Sequence, residues 1–197
     1  MSTWSDTLVQ VRRELEESSA QVWDDSSLLS FANDALKEIA RRTMLLFDEE
    51  YTDTEAGVNS CFLPVLTIDI DDVRCNGRRL EQVSIREFPA VERSGAPMFY
   101  AVEGGNLYLS PTPDGVYPLR FFRNSLPDPL VTTADTMPFD GVYDGLVRAY
   151  VKARAYEQIL DWESARNFDA IFTRGADDAA FNAATNTRHR VAPSEVY

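Results

Sequence analysis

The sequence predicts an α+β protein: an antiparallel bundle of about four helices from both chain ends, with an inserted antiparallel β-sheet or small barrel. Apolar residues recur with a helical period near both termini and with a period of two in the middle. Turn-forming residues also interrupt the middle at short intervals, as they do between antiparallel strands. The expected boundaries are 1–50 and 140–182 for the bundle, 51–139 for the inserted domain and 183–197 for a mobile C-terminal tail.

Two helices are expected before residue 50. The first begins at Ser5 or Asp6, because both residue types cap helix N-termini. The second follows the run 24–26, which is rich in cap-forming residues and places negative charge at the positive end of the helix dipole. Their apolar faces are Leu8, Val11, Leu15 and Val22 in the first helix, and Leu28, Ala32, Ala35, Leu36, Ile39 and Ala40 in the second.

The middle of the chain is expected to form strands joined by tight turns. Alternation covers 62–71, and the dipeptide Asn76-Gly77 then falls between two short extended arms. This dipeptide predicts a β-hairpin because a type I′ turn needs two successive residues with positive φ. Further turns are expected at 104–106 and 111–115, a spacing typical of an antiparallel sheet or a small barrel.

Two more helices are expected between residues 140 and 182. The first is a long helix, and a short break near Asp161 separates it from the second. Beyond Asn182 no apolar stripe continues, so the tail is expected to be mobile in the free chain. The predicted inner faces are Tyr143, Leu146, Val147, Tyr150, Ala153 and Leu160 in the third helix, and Ala165, Phe168, Phe172, Ala176 and Ala179 in the fourth.

The composition is that of an ordinary globular protein with a strong acidic excess. The 197 residues are 44% hydrophobic and carry a formal net charge of −13. Such a surface does not favour phosphate binding by counterion release, but an acidic wall suits a passage through which DNA slides without sticking. Solubility alone is the alternative reason for the charge. We expect no membrane partner, because no apolar run approaches the roughly 20 residues of a membrane span, and no secretory signal.

The sequence indicates no catalytic residue, no cofactor site and no metal site. His189 is the single histidine and falls in the expected mobile tail, where it lacks the rigid placement that a catalytic base requires. Cys61 and Cys75 are expected to be reduced thiols, since two cysteines in a chain of this length do not form a disulfide framework. Asp69 and Asp71 share one face of a strand and could hold a hard cation, but a solvated acidic strand edge is the favoured interpretation.

Aromatic residues in the β region fall on both faces of successive strands. Such a sheet needs a partner on each face, so we expect the bundle on one side and a neighbouring subunit on the other. Trp4 and Trp23 flank the first helix and are either core residues or subunit contacts. The residues expected to contact another subunit or a tail component are Trp4, Trp23, Asn76, Gly77, Phe99 and Tyr100.

Three segments together resemble one known family. They are the helical run 23–40, the Gly-x-Pro motif that leads from Gly95 to Tyr100, and the segment 107–117 with its Leu-x-Pro-x-Pro-Asp motif. This order, followed by an Ala-rich C-terminal helix, is similar to that of the head-to-tail adaptor proteins of tailed bacteriophages, also called connector or neck proteins. The resemblance covers roughly residues 5–182.

The resemblance implies a structural virion protein, made in the host cytoplasm, that is not an enzyme and needs no cofactor. Such adaptors form a ring, typically of twelve copies, under the portal protein. The ring extends the channel for DNA in transit and holds the tail tube, the nozzle or tail fibre proteins. A C-terminal extension commonly docks on the portal, which in this chain implies Arg188, His189, Arg190, Val191 and Tyr197.

Three alternatives stay open at this point. The first is another ring-forming virion protein, such as a head-completion or tail-terminator subunit. The second is a small hydrolase that uses a pair of carboxylates, which would require two acidic side chains with displaced pKa values in one pocket. The third is a monomeric binding module.

Overall fold

The chain divides into two units, a helical unit built from both chain ends and a β unit between them. The β unit comprises residues 47–125, and the helical unit comprises the chain up to residue 46 and from residue 126 onward. The computed structural model describes residues 2–17, 22–89 and 94–189. Within these residues the structure has four α-helices and two sheets, which confirms the predicted α+β class.

The helical unit contains four helices, and side-chain caps mark where the first two begin. They are α1 (Trp4–Glu14), α2 (Asp25–Thr43), α3 (Asp144–Gln158) and α4 (Trp162–His189). The predicted cap of α1 at Ser5 or Asp6 is wrong, because Thr3 is the N-cap and Asp6 completes a capping box with it. Val22, expected on the apolar face of α1, lies beyond the end of this helix and is 61% exposed. In α2, the Asp24 carboxylate accepts a hydrogen bond from the Ser27 amide at 2.6 Å, as an N-cap should.

Two boundaries of the C-terminal helices differ from the prediction. Residues 138–141 form a 3₁₀ turn in which Phe139 and Asp140 have positive φ, so α3 starts only at Asp144. Leu160 was expected on an inner face, yet its side chain is 68% exposed because it lies in the turn between α3 and α4 with φ of 63°. At its other end, α4 continues past the predicted boundary to His189.

One hydrophobic core serves the helical unit. The Trp23 indole N–H donates to the Ala155 carbonyl of α3 at 3.1 Å. Gly175, which costs α4 about 1 kcal/mol relative to alanine, allows close packing there: a Cβ at this position would lie 2.3 Å from Cδ2 of Leu146. The buried core residues are Trp4, Leu8, Val11, Leu15, Trp23, Leu28, Ala32, Ala35, Leu36, Ile39, Leu130, Met137, Val147, Ala149, Val151, Ala155, Phe172 and Ala176.

The segment 126–139 belongs to the helical unit, although we expected it in the β insertion. It has no periodicity, but Leu130 and Met137 are buried in the helical core. The Asn33 side chain fixes it by donating to the Leu130 carbonyl at 3.0 Å and accepting from the Leu130 amide at 2.8 Å. Because both backbone groups of Leu130 are satisfied in this way, the loop can be buried without a regular element.

The β unit consists of two four-stranded sheets. The strands are β1 (Phe47–Asp53), β2 (Ser60–Phe62), β3 (Thr67–Cys75), β4 (Arg78–Arg79), β5 (Glu81–Gln82), β6 (Phe99–Glu103), β7 (Asn106–Ser110) and β8 (Pro118–Ser125). The first sheet has the order β1-β8-β3-β4 and the second has the order β2-β7-β6-β5. All strand pairs are antiparallel except β5 with β6, which is parallel.

The two sheets share a second hydrophobic core. Ile70, Val73 and Phe121 enter it from the first sheet, and Leu107 and Leu109 enter it from the second. Alternate residues of each strand therefore point inward and leave the residues between them on the outer faces.

Two predicted turns have the geometry that their residues indicate. Asn76 and Gly77 have φ of 50° and 79°, and Gly104 and Gly105 have φ of 59° and 78°, so each pair provides the two positive φ angles of a type I′ turn. No helix in the described ranges is long and apolar enough to cross a bilayer.

Candidate assembly surface

The outer face of the first sheet is the candidate functional surface. In β8, Phe121 is 2% exposed and points into the core, and the next residue, Phe122, therefore lies on the opposite face. In β1 the residues on this face are Phe47, Glu49 and Tyr51, since Glu49 pairs with Phe122 and Tyr51 pairs with Arg120. The register of the three adjacent strands thus gathers aromatic and charged side chains on one side of the sheet.

Aromatic rings and guanidinium groups alternate across this face. The rings of Phe47 and Phe122 stack with centroids 5.6 Å apart and an interplanar angle of 18°. The Arg120 guanidinium lies 4.6 Å from the ring centroid of Phe122 and 5.5 Å from that of Tyr51. The guanidinium of Arg74, on β3, lies 5.8 Å from the ring centroid of Phe122. Such cation–π contacts hold long arginine side chains in fixed positions on the surface.

Carboxylates neutralise part of this positive charge. Arg120 forms an ion pair with Glu49. Asp72 accepts a hydrogen bond from Arg74 at 3.0 Å and forms an ion pair with Arg79, with the two charged atoms 2.8 Å apart. Hydrogen bonds from Arg120 and Tyr51 lower the pKa of Glu49, and the bond to Glu49 raises the pKa of Tyr51. We call this surface the arginine face; it comprises Phe47, Glu49, Tyr51, Asp72, Arg74, Arg79, Arg120 and Phe122.

The arginine face is suited to contact with another protein. Tyr51 is 69% exposed and Phe47 is 50% exposed, so apolar area is available beside the guanidinium groups. A cleft of about 400 Å³ opens at one end of the face and is lined in part by Tyr51, Arg74, Gly77 and Arg120. Tyrosine and arginine are the residue types that carry much of the binding energy at protein interfaces.

Arg123 holds the edge strand of this sheet in place. Its guanidinium donates to Asp48 and Glu50 of β1, each at 2.9 Å, and its side chain is only 9% exposed. It also donates to the Val65 carbonyl and to the Thr67 hydroxyl, each at 3.1 Å. Arg123 therefore positions β1, which carries three residues of the arginine face.

Three of the predicted contact residues lie in the interior. The exposed fractions of Trp4, Trp23 and Tyr100 are 1%, 6% and 2%. Of the two roles expected for the tryptophans, core residue or subunit contact, the structure shows the core role. Asn76 and Gly77 are exposed in the turn between β3 and β4, and Gly77 lines the cleft of the arginine face.

The predicted portal-docking residues fall at the end of the described chain. Arg188 and His189 lie in the last turn of α4. Arg190, Val191 and Tyr197 lie outside the described residues. Phe99, also predicted as a contact, is half-buried in β6.

The strands brought together residues that sequence reasoning did not single out. Phe47, Tyr51, Arg74 and Arg120 lie on three strands that are distant in sequence, and only the register places them on one face. A signal was nevertheless present in β8, where Leu119 and Phe121 alternate with Arg120 and Phe122. Arginines between apolar residues of a strand indicate an outer face with mixed chemistry.

The described residues include no group of three or more His, Cys, Asp or Glu side chains that could hold a metal ion. Cys61 and Cys75 are free thiols, and burial raises the pKa of both. Burial also raises the pKa of Asp71, although a hydrogen bond from Asn124 opposes this shift.

A helical unit that carries an inserted β unit with an exposed arginine–aromatic face has the features of a protein that assembles with other macromolecules. Comparison with known families agrees and is more specific. The family model described as SU10 adaptor protein matches residues 2–195. The chain therefore belongs to the SU10 adaptor protein family, a family of phage head-to-tail adaptors, which confirms the resemblance seen in the sequence. A comparison with curated protein sequences finds no match.

Proposed function

We propose that this chain is a structural head-to-tail adaptor of the virion neck and forms a ring of twelve copies under the portal protein. The ring extends the DNA channel and provides the platform for the tail tube, the nozzle or tail fibre proteins. The observation that carries this proposal is the family match over residues 2–195, which spans both units. In this proposal the four helices of each subunit form an antiparallel bundle, and the β unit is the second unit of the same chain.

The acidic composition supports a channel for DNA. The chain has 32 acidic and 19 basic residues, so each copy contributes a formal charge of −13. A lumen lined by part of this charge repels the phosphate backbone and lets DNA pass without binding.

The C-terminal segment 185–197 is the proposed portal-docking element, with Arg188, His189, Arg190, Val191 and Tyr197 as contacts. Its first residues continue α4, a helix of 28 residues. Phe181, near the same end of α4, is 73% exposed and adds apolar area that a partner could cover.

Co-purification with the portal protein encoded in the same genome tests this proposal. The full chain is expected to form a stoichiometric complex with the portal, visible as a ring by electron microscopy. Deletion of 185–197 is expected to abolish the complex and to leave the far-UV circular dichroism of the remaining chain helical. Portal binding that survives the deletion would show that docking uses another surface.

The same experiment separates the second candidate function. A ring that binds purified tail tube protein but never the portal would identify the chain as a tail-terminator subunit. A chain that binds neither, in particles that join capsid and tail normally without it, would exclude both ring functions.

A further inference from the structure

The second sheet of the β unit has an outer face with a different chemistry. Leu107 of β7 points into the core, so its neighbour Asn106 points outward. Phe62 and Glu103 both pair directly with Asn106, on the strands at either side of β7, and therefore share its face. Farther along the same face Ala101 and Ser110 are buried, and the Ser110 hydroxyl donates to the Pro89 carbonyl at 2.8 Å, so the open part of this face is the end near Asn106.

We call this second surface the glutamate face; it comprises Phe62, Asn106 and Glu103. Phe62 is 86% exposed, and Glu103 is exposed as well. The Glu103 carboxylate forms no ion pair with a residue in the described ranges. One sheet of the β unit thus carries an exposed aromatic ring and a carboxylate on its outer face, and the other sheet carries exposed rings beside arginines.

We propose that the arginine face of one copy docks on the glutamate face of the next copy of this chain. This inference rests on the proposed ring and names a contact within it. The charges are complementary, since the carboxylate of Glu103 would meet the guanidinium groups of Arg74 and Arg79. The apolar groups are complementary as well, because Phe62 can pack on the ring of Tyr51.

The proposed contact joins two different surfaces of the chain. The faces belong to different sheets of one β unit, so each copy uses one surface toward one neighbour and a different surface toward the other. A contact of this heterologous kind generates a ring when its rotation closes. Copies that each carry a formal charge of −13 repel one another at long range, and a local cluster of arginines at the contact counteracts this repulsion.

Charge reversal with rescue tests the contact. Sedimentation of the purified full chain, alone and bound to the portal, measures its self-association. Arg79→Glu and Glu103→Arg are each expected to weaken the association about tenfold or more, because each places like charges opposite one another. The double variant is expected to restore it. Arg166→Glu, an equal charge change on an exposed position of α4, is the control and is expected to have little effect.

Salt dependence gives a second readout that needs no variant. Raising the ionic strength from about 0.1 M to about 1 M shortens the Debye length from about 10 Å to about 3 Å. The association of the unmodified chain is expected to weaken over this range. A double variant that does not recover, or a chain that stays monomeric even on the portal, would overturn the proposal.

Photo-cross-linking identifies the partner directly. A photoreactive phenylalanine analogue in place of Tyr51 is expected to give a product with the mass of two chains, joined to a peptide that contains Phe62 or Glu103. A product with a different protein or with nucleic acid, or no product, would overturn the contact. If the chain binds the portal but gives no such product, the contact is refuted and the adaptor function remains supported. If copies become cross-linked but do not bind the portal, the contact is supported and the adaptor function is refuted.

Discussion

Replacement of Arg123 by methionine is expected to destabilise the β unit by about 3 kcal/mol. The guanidinium makes four hydrogen bonds, two of them to the carboxylates of Asp48 and Glu50. A hydrogen bond to a charged group contributes about 1.5–3 kcal/mol. The side chains of Asp48 and Glu50 are 49% and 36% exposed, so in the variant water replaces part of the hydrogen bonding that their carboxylates lose. The expected destabilisation is therefore well below the sum of four hydrogen bonds. Arg123→Lys is expected to lose about half as much, because an ammonium group cannot reach all four acceptors.

The distribution of tryptophans provides the assay. The three tryptophans are Trp4, Trp23 and Trp162, and all of them lie in the helical unit. In a urea titration, tryptophan fluorescence therefore reports the helical unit. Amide hydrogen exchange at β1 and β8 reports the β unit, where protection measures the free energy of opening. Arg123→Met is expected to lower protection in β1 by about two orders of magnitude and to leave the fluorescence midpoint unchanged.

A matched variant separates the specific bonds from the loss of one positive charge. Arg78→Met removes a guanidinium from the exposed strand β4, where it makes no ion pair with the described residues. Its effect on protection in β1 is expected to be within about 0.5 kcal/mol. If Arg123→Met and Arg78→Met behave alike, the hydrogen bonds of Arg123 do not hold the edge strand and the reasoning fails.

Three further changes test the β unit. The first two are measured by urea unfolding that is monitored by amide hydrogen exchange. Phe121→Ala is expected to cost about 3–5 kcal/mol because the ring is buried, whereas Phe122→Ala is expected to cost about 1 kcal/mol; equal costs would contradict the assignment of faces. Gly77→Val is expected to cost about 1–2 kcal/mol, since φ of 79° disfavours a side chain; an unchanged midpoint would refute this. Hydrogen bonds from Arg120 and Tyr51 lower the pKa of Glu49 below its ordinary value of 4.5. These bonds therefore stabilise the folded chain above pH 4.5, and the stabilisation is lost as the pH falls through the lowered pKa of Glu49. Glu49→Gln is therefore expected to flatten the decrease of thermal stability at acid pH, and an unchanged acid profile would exclude this role.

Local patterns predicted most of the secondary structure. The face of α2 follows directly from its apolar spacing, and Asp24 caps it as its residue type indicates. The turns at 76–77 and 104–105 follow from residues that accept positive φ. These features depend on neighbours within a few positions along the chain, which is the range that sequence reasoning covers well.

Features that depend on distant contacts were not predictable in the same way. The loop 126–139 is buried because Asn33, almost a hundred residues earlier, satisfies the backbone of Leu130. The extension of α4 past residue 182 was missed because Ala183, which is buried, is too small to mark an apolar stripe. The arginine face was not predicted from the sequence because its residues come together only when β1, β8 and β3 pair. The family resemblance, by contrast, depends on short sequence motifs and requires none of these contacts.

A single buried residue separates the two sheets along the chain between β4 and β5. Leu80, which is 3% exposed, follows Arg79 of the first sheet and precedes Glu81 of the second. Because the connection is one residue long, a force on either strand is transmitted directly to the other. In the proposed ring, a force applied to one sheet at a contact between copies would therefore pass through Leu80 to the other sheet of the same β unit.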